Sequence, residues 1–500
     1  MSDITSTEIR MYRMGTGDCF ILKFFAGDEL KFKMMIDCGT WSGGADHLTP
    51  YIADLKAYIG NGVDALVVTH EHKDHVHVFE VCEELFTNNF TVGQIWMAWT
   101  EEEKTAKVTQ WQQEYGDQKK ALAKAASRLK KAVNSPDFKQ QLEKEHNGMD
   151  MLGARKDFAD AISDFTGLQI DSDDDGNYIG PLKGMKIVKE KIATGNIRYF
   201  RPGDLITQIE NLPGIRFFVL GPPENWEQVK MESGGKGESY DHNKDLTPTD
   251  AFAMAVLHAD DPKKVCNTMP FDEQYCYNSE DKAAPILDYQ DPNTAWRRID
   301  NDWLYSTGAL AMRINSITNN LSLALAIEFT ESGKVMLFPG DAEFGSWASW
   351  HDVKWTEPSR NKDKPLMEDL LNRTVFYKVA HHLSHNGTAK RLGMEMMTHP
   401  DLVAMATLDY NIISPRWKTT MPNRGLLQDL IRNSKGRLIV MNPHNLFYDV
   451  SDMLPLQEQI ELARSRMNPK DLAGFNNVFK NDDADQIYYQ FTVDGTASNK

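Results

Sequence analysis

Within the six residues His70-Glu71-His72-Lys73-Asp74-His75, three imidazoles and a carboxylate come close enough in sequence to share one task. The apolar run Ala65 to Thr69 precedes them and reads as a strand. In extended chain His70 and His72 point to the same side, and a turn after them adds Asp74 and His75. Imidazole with carboxylate suits zinc, manganese or iron. A cation there would lower the pKa of its bound water toward ~7, making hydroxide available as a nucleophile at neutral pH. The plainer alternative, a charged surface turn, requires three of the 14 histidines in 500 residues to cluster by chance.

Elements that could position such a cluster surround it. Strands are expected at Glu8 to Arg13, Cys19 to Phe25, Phe32 to Ile36 and Gln94 to Ala98, with a helix near Leu48 to Ile59. Glu101 to about Phe165 turns rich in Lys, Glu, Gln and Ala, which favours long helices. Its basic residues Lys119, Lys120, Lys124, Arg128, Lys130, Lys131 and Lys139 read as a solvated helix face, or else as a cap gripping an anion. Strands are expected again at Met185 to Val188, Ile197 to Phe200 and Ile215 to Leu220, then an irregular stretch from Glu224 to about Asp302. Ala311 to Ile314, Ser322 to Phe329 and Val335 to Pro339 follow as strands leading to Gly340-Asp341, and Val375 to Val379 leads to His381-His382. Leu402 to Thr407, a helix at Arg424 to Arg432, Arg437 to Val440 and a strand at Gln486 to Val493 complete the reading.

The division that results is an α/β core over 1–100, a helical insertion over 101–184, core strands over 185–223, a loop-rich insertion over 224–304, the second half of the core over 305–448 and a C-terminal extension over 449–500.

A hydrophobic fraction of 41% with 25% charged residues is that of a globular protein. No apolar stretch approaches the roughly 20 residues a membrane span needs, and no signal-like start is visible, so a cytoplasmic location is expected. Five scattered cysteines exclude a disulfide framework, and a net charge of -17 excludes broad coating of a polyanion.

The spacing of the cluster resembles the His-x-His-x-Asp-His signature of the metallo-β-lactamase superfamily. Met34-Met35-Ile36-Asp37 is similar to the strand ending in that family's first Asp, which supports the metal loop. Leu337 to Asp341 is similar to its Gly-Asp strand end, and Val379 to His382 to its final histidine element. Met14-Gly15-Thr16-Gly17-Asp18, Leu220 to Pro223, Asn319 to Ser322 and the paired histidines resemble the soluble hydrolase domain of ComEC-like DNA-uptake proteins and their free-standing relatives, including phosphorylcholine esterases. The resemblance covers 8–100, 195–223 and 305–445.

It implies an α/β fold, the αββα sandwich, interrupted here by a helical and a loop-rich insertion. It also implies two divalent metal ions, Zn2+ or Mn2+. His70 and His72 would hold one; Asp74, His75 and His382 the other, with Asp341 bridging. Asp74, His381 and His385 are the candidate catalytic residues, a histidine protonating the leaving oxygen. Two departures stand out. Where the family usually carries another histidine, this chain has Asn319 and Asn320, which predicts one weak metal site. Leu383 and His385 replace the Gly-Ser that follows the paired histidines.

Arg416 and Lys418 are candidate anion contacts, and Trp41 is one of several tryptophans that could stack on a base or cationic head group. Asp171 to Asn177 imitates the start of a calcium loop but has Leu182 at the twelfth position, so a plain acidic turn is preferred. The expected function is a metal-dependent phosphodiesterase or nuclease acting on nucleic acid, a nucleotide or a phosphorylated head group. Ester, lactone or lactam hydrolysis and a non-catalytic binding role are the alternatives.

Overall fold

A computed structural model describes residues 2–136, 151–173, 177–235, 237–238, 240, 287, 306–413, 418, 421–447, 453–481 and 486–497. Contacts divide the chain into two compact units, one formed by Met1–Val108, Pro181–Lys244 and Asn315–Lys500, the other by Thr109–Gly180 and Asp245–Ile314.

In the first unit two sheets face each other. The eight-stranded sheet runs in the order Phe479–Asn481, Tyr488–Asp494, Ser6–Tyr12, Phe20–Ala26, Glu29–Ile36, Gly62–Val67, Thr91–Ala98, Ile197–Phe200. The seven-stranded sheet runs Leu438–Val440, Val403–Ala406, Thr374–Lys378, Val335–Phe338, Leu325–Phe329, Ile215–Val219, Leu205–Ile206. Each is antiparallel on one side and parallel on the other, the parallel pairing beginning at Glu29–Ile36 and at Val335–Phe338. The inner faces interdigitate: Ile9, Phe20, Leu22, Val67 and Trp96 share a buried cluster with Phe217, Ile327, Phe338, Phe376 and Met405. Helices cover both outer faces. Ala45–Ile59 and Lys73–Val81 pack Leu48, Leu55 and Phe79 against Ile21, Met35 and Leu66. Phe344–Asp352 and Arg424–Asn433 pack Trp347, Trp350, Leu426 and Leu430 against Leu337, Tyr377 and Ala404. The fold is therefore an αββα sandwich of the metallo-β-lactamase type. Parallel strands covered on both faces are apolar throughout, as Leu66, Val67, Val403 and Met405 are.

Two expected strands are helices. Met185 to Val188 lies in the helix Lys183–Ile187 and the π-turn that continues it to Ile192. Ala311 to Ile314 lies inside the helix Thr307–Asn320. In both, a four-residue window hides the period: Leu310, Ile314, Ile317 and Leu321 are buried at helical spacing, and Ala and Leu favour helix. The C-terminal stretch is not peripheral, since Tyr488–Asp494 pairs along the whole of Ser6–Tyr12.

In the second unit the helix that begins at Ala106 runs to Val133 and buries Leu122, Ala125, Leu129 and Val133 along one face. Lys119, expected on a solvated face, is buried with its Nζ 4.5 Å from the Tyr115 ring centroid. Lys139 lies outside the described residues. In the calcium-like segment, which lies between two short paired strands, Asp173 Oδ1 accepts from Asn177 N at 2.8 Å; Asp174 to Gly176 lie outside the described residues. Cys19, Cys38 and Cys82 are free thiols. No described helix is long and apolar enough to cross a membrane.

Glu328, on the buried strand Leu325–Phe329, is enclosed by Arg216, by Arg360 at 2.9 Å and by Arg373 at 2.7 Å. Removing the carboxylate leaves three guanidinium groups facing each other, though each keeps some access to water. Glu328→Ala should lower stability by about 2–4 kcal/mol, read from urea denaturation, with the histidine cluster unaltered in metal content.

Candidate metal centre

The parallel strands of both sheets end at the same end of the sandwich, and the loops leaving them carry the polar residues, as open α/β sheets place their sites. Gly62–Val67 leads to Thr69 and His70. His72 is the N-cap of the helix Lys73–Val81, so Asp74 and His75 occupy its first turn, where a carboxylate is favoured by the helix dipole. Val335–Phe338 leads to Asp341, and Thr374–Lys378 to His381 and His382.

Asp74, His75, Asp341 and His382 are all buried, and their ligand atoms lie within 4.8 Å of one another. His382 Nε2 is 3.0 Å from Asp74 Oδ2 and 3.1 Å from Asp341 Oδ2, and His75 Nε2 is 3.2 Å from Asp341 Oδ2. That spacing would let the four groups converge on one small divalent cation. His70 Nε2 and His72 Nδ1 form one more such edge, 3.1 Å apart. They join no group of three or more candidate ligands among the described residues. Among the described residues His72 Nε2 and His75 Nε2 are buried without a hydrogen-bond partner. Leaving a buried polar atom unpaired costs about 1–3 kcal/mol. For His75 a cation within the four-residue cluster removes that cost, so the residues fit a divalent metal.

A layer of partners fixes these ligands. Asp37, itself at φ 54°, receives His75 Nδ1 at 2.7 Å and Thr69 N at 2.7 Å, which keeps the His75 proton on Nδ1 and its Nε2 lone pair toward the cluster. Thr407 Oγ1 lies 2.8 Å from His382 Nδ1 and donates to Asp18 Oδ1 at 2.6 Å. Lys378 Nζ, also buried, reaches Asp18 Oδ2 at 2.5 Å and Asp341 Oδ1 at 2.9 Å. His381 N donates to the same Oδ1 at 3.2 Å. Asp341 therefore turns only Oδ2 toward the cluster. Trp41 Nε1 donates to Asp74 Oδ2 at 2.7 Å. Gly17 and Gly39 press against the ligand turn; a Cβ on Gly39 would lie 2.2 Å from the Asp74 carbonyl carbon.

The paired histidines sit on strained backbone. His381, His382 and Leu383 have φ of 45°, 47° and 68°. This is the left-handed region, costing roughly 1–2 kcal/mol per residue without glycine. Leu383 offsets part of that by full burial in the outer core of the second sheet.

Electrostatics separate the ligands. Burial opposes charge on His382, but Asp341 and Asp74 outweigh it and raise this imidazole to about 9. His75 is likewise raised, against burial, by Asp341, Asp37 and Asp18. Burial would raise the Asp74 carboxyl, yet the His382 hydrogen bond and the charge of His75 hold it below its usual value. Burial and the neighbouring His75 lower His70, and burial lowers His72 to about 3 and His381 to about 4. Burial lifts Glu343 to about 8.

The two asparagines divide. Asn320 is fully engaged, accepting from Glu343 N and Ser346 N and donating to Val229 O and Met231 O, so it is a structural brace. Asn319 Nδ2 donates to Glu343 Oε1 at 2.7 Å, while its Oδ1 is buried without a partner. His385 is buried near His381. Arg416 lies outside the described residues, and Lys418 Nζ sits 4.5 Å from the Tyr410 ring centroid. Sequence reasoning gave no role to Asp18, Lys378, Thr407 or Glu343. The signals were present as a carboxylate ending Gly-Thr-Gly-Asp and a lysine closing an apolar strand.

The family model of the metallo-beta-lactamase superfamily matches residues 16–145, which include the whole His70 to His75 segment. Fold and cluster together define the class, a metallo-β-lactamase-type sandwich with buried residues suited to divalent metal. Among curated proteins no match to the chain is found.

Two outcomes follow from this geometry. Thr407→Val removes the partner of His382 Nδ1 and should weaken zinc binding about 10–100-fold, by calorimetry, with an unchanged circular dichroism spectrum. After chelation, the stability contributed by protonated His382 is complete below its unfolded value of ~6.5 and is lost as pH rises through about 9. The melting temperature of chelated protein should fall between pH 7 and pH 10, whereas zinc-loaded protein, whose His382 would carry no proton on Nε2, should lack that decline.

Proposed function

We propose that this protein is a metal-dependent hydrolase acting on phosphodiesters, a nucleotide, nucleic acid or phosphorylated head group. The observation that carries the reading is the buried cage of Asp74, His75, Asp341 and His382. A scaffold alone has no use for two carboxylates and two imidazoles held 3.0–3.2 Å apart. In this reading Asp74, His75 and His382 would hold one cation, His70 with His72 would hold a second, more exchangeable one, and Asp341 would serve both. Nitrogen and oxygen donors suit Zn2+ or Mn2+. When bound, such cations supply Lewis acidity toward water and offset charge building on the ester oxygens.

The protein's own groups do the rest. Asp37 and Thr407 keep both ligand imidazoles in the productive tautomer. Lys378 offsets the charge of Asp18 and Asp341, so an anionic substrate meets less repulsion. His381 and His385 stand beside the cluster as candidates for proton transfer at the reacting oxygens. Support for a phosphodiester comes from the motif resemblance to ComEC-like hydrolases and phosphorylcholine esterases.

Purified protein with Zn2+ or Mn2+ should hydrolyse bis-p-nitrophenyl phosphate. His382→Ala should abolish turnover, while His72→Ala should raise the metal concentration needed for half-maximal rate. Turnover of a chromogenic lactam or lactone with phosphodiesters untouched would overturn the substrate class. Absence of bound metal and of any hydrolysis would overturn the enzyme.

A further inference from the structure

The helices Arg424–Asn433 and Leu456–Arg464 lie against each other on the outer side of the second sheet, and their C-terminal ends are locked together. Arg464 Nε donates to Gly436 O at 2.8 Å and its Nη2 to Leu438 O at 3.2 Å. At Gly436 the backbones come so close that a Cβ would stand 2.8 Å from Arg464 N. Beside this junction runs a groove of about 450 Å³. Ile431, Arg432 and Lys435 line one wall; Leu462, Ala463 and Arg466 line the other, at the same spacing.

Two properties set this groove apart from an ordinary solvated face. The first is charge. No carboxylate lines it among the described residues, although the chain as a whole carries a net charge of -17. Arg432 is paired with Asp429 at 2.6 Å, but Lys435 and Arg466, both exposed, have neither an ion pair nor a side-chain hydrogen bond among the described residues. The second is the apolar surface between the cations. Leu462 is 47% exposed there, although Leu456 and Ile460 of the same helix are buried. A small anion would engage the cations and leave that leucine in water. A nucleic acid would be repelled by the net negative charge of the chain.

We propose that this groove docks an acidic amphipathic helix of a partner protein, its apolar stripe on Ile431, Leu462 and Ala463 and its carboxylates on Lys435 and Arg466. Two helices locked side by side offer a third the seat that ridges-into-grooves packing requires, with axes about 8–10 Å apart. The apolar contact holds the partner, and the unpaired cations select its charge and speed its approach. Because the walls are already fastened through Gly436, little ordering remains to be done on binding. The groove shares no residue with the metal centre, so the inference stands independently of the hydrolase reading above.

The test uses full-length protein and two fluorescein-labelled model helices with the same leucine stripe, one carrying Glu and the other Lys on its polar face. In fluorescence anisotropy the Glu peptide should bind saturably, about tenfold tighter than the Lys peptide, and its binding should weaken as salt is raised. Lys435→Glu combined with Arg466→Glu should lower that affinity about tenfold, and Leu462→Ala should lower it as well, with melting temperature and hydrolysis of bis-p-nitrophenyl phosphate unchanged. No saturable binding of the Glu peptide, equal binding of the two peptides, or undiminished affinity in the charge-reversed protein would overturn the proposal. Displacement of the peptide by an equal concentration of inorganic phosphate would reduce the groove to an anion site and overturn it too. So would self-association in sedimentation that the same charge reversal abolishes, since the occupant would then be a second copy of this chain.

Discussion

Asp341 is the carboxylate on which both sheets converge, and its burial constrains everything near it. A buried carboxylate is tolerated only when its charge and lone pairs are matched. One oxygen is taken by Lys378 and the His381 backbone, both from the second sheet. The other meets His75 from the first sheet and His382 from the second. Lys378 must in turn share its charge with Asp18, Asp18 takes Thr407, and Thr407 takes His382. The ring of contacts closes on the residue where it began. Moving any member shifts the geometry at Asp341 Oδ2, which is why the supporting residues matter as much as the ligands.

Much of this was legible in the sequence for a physical reason. Candidate ligands that follow buried parallel strands announce themselves as polar residues at the ends of apolar runs, and His70, Asp341 and His382 all have that form. The strands themselves were readable because alternation or continuous apolarity survives in segments such as Phe20–Ala26 and Val403–Ala406. Short windows failed where helix and strand give the same apolar density, at Met185 and Ala311. The supporting layer was harder to read, because Lys378, Thr407 and Glu343 come from separate loops and acquire meaning only through contacts made in space. Asn319 and Asn320 show the limit well. Adjacent and chemically identical, they do different work, one bracing the backbone near Glu343 and the other facing His381.

The support given to the candidate ligands is uneven. Each of the four caged residues has a further partner: His75 has Asp37, His382 has Thr407, Asp341 has Lys378 and Asp74 has Trp41. His70 has Thr69 and Ser322 near Nδ1, but His72 Nε2 has no hydrogen-bond partner among the described residues. Hydrogen-bonded support is therefore concentrated on Asp74, His75, Asp341 and His382 rather than on His72.

The pairing of Ser6–Tyr12 with Tyr488–Asp494 carries a consequence for how the protein is made. Arg10 and Gln490 bond across 480 positions, so the first sheet is incomplete until the far end of the chain leaves the ribosome. Gly495, beyond that strand, packs against Phe329 of the opposite sheet and ties the two layers together. Contacts of such long range slow folding. During synthesis the early His70 to His75 segment must wait, with its partners Asp341 and His382 still to be translated. The residues that Asp74 and His75 meet are made hundreds of positions later, so the four-residue cluster closes only late in synthesis.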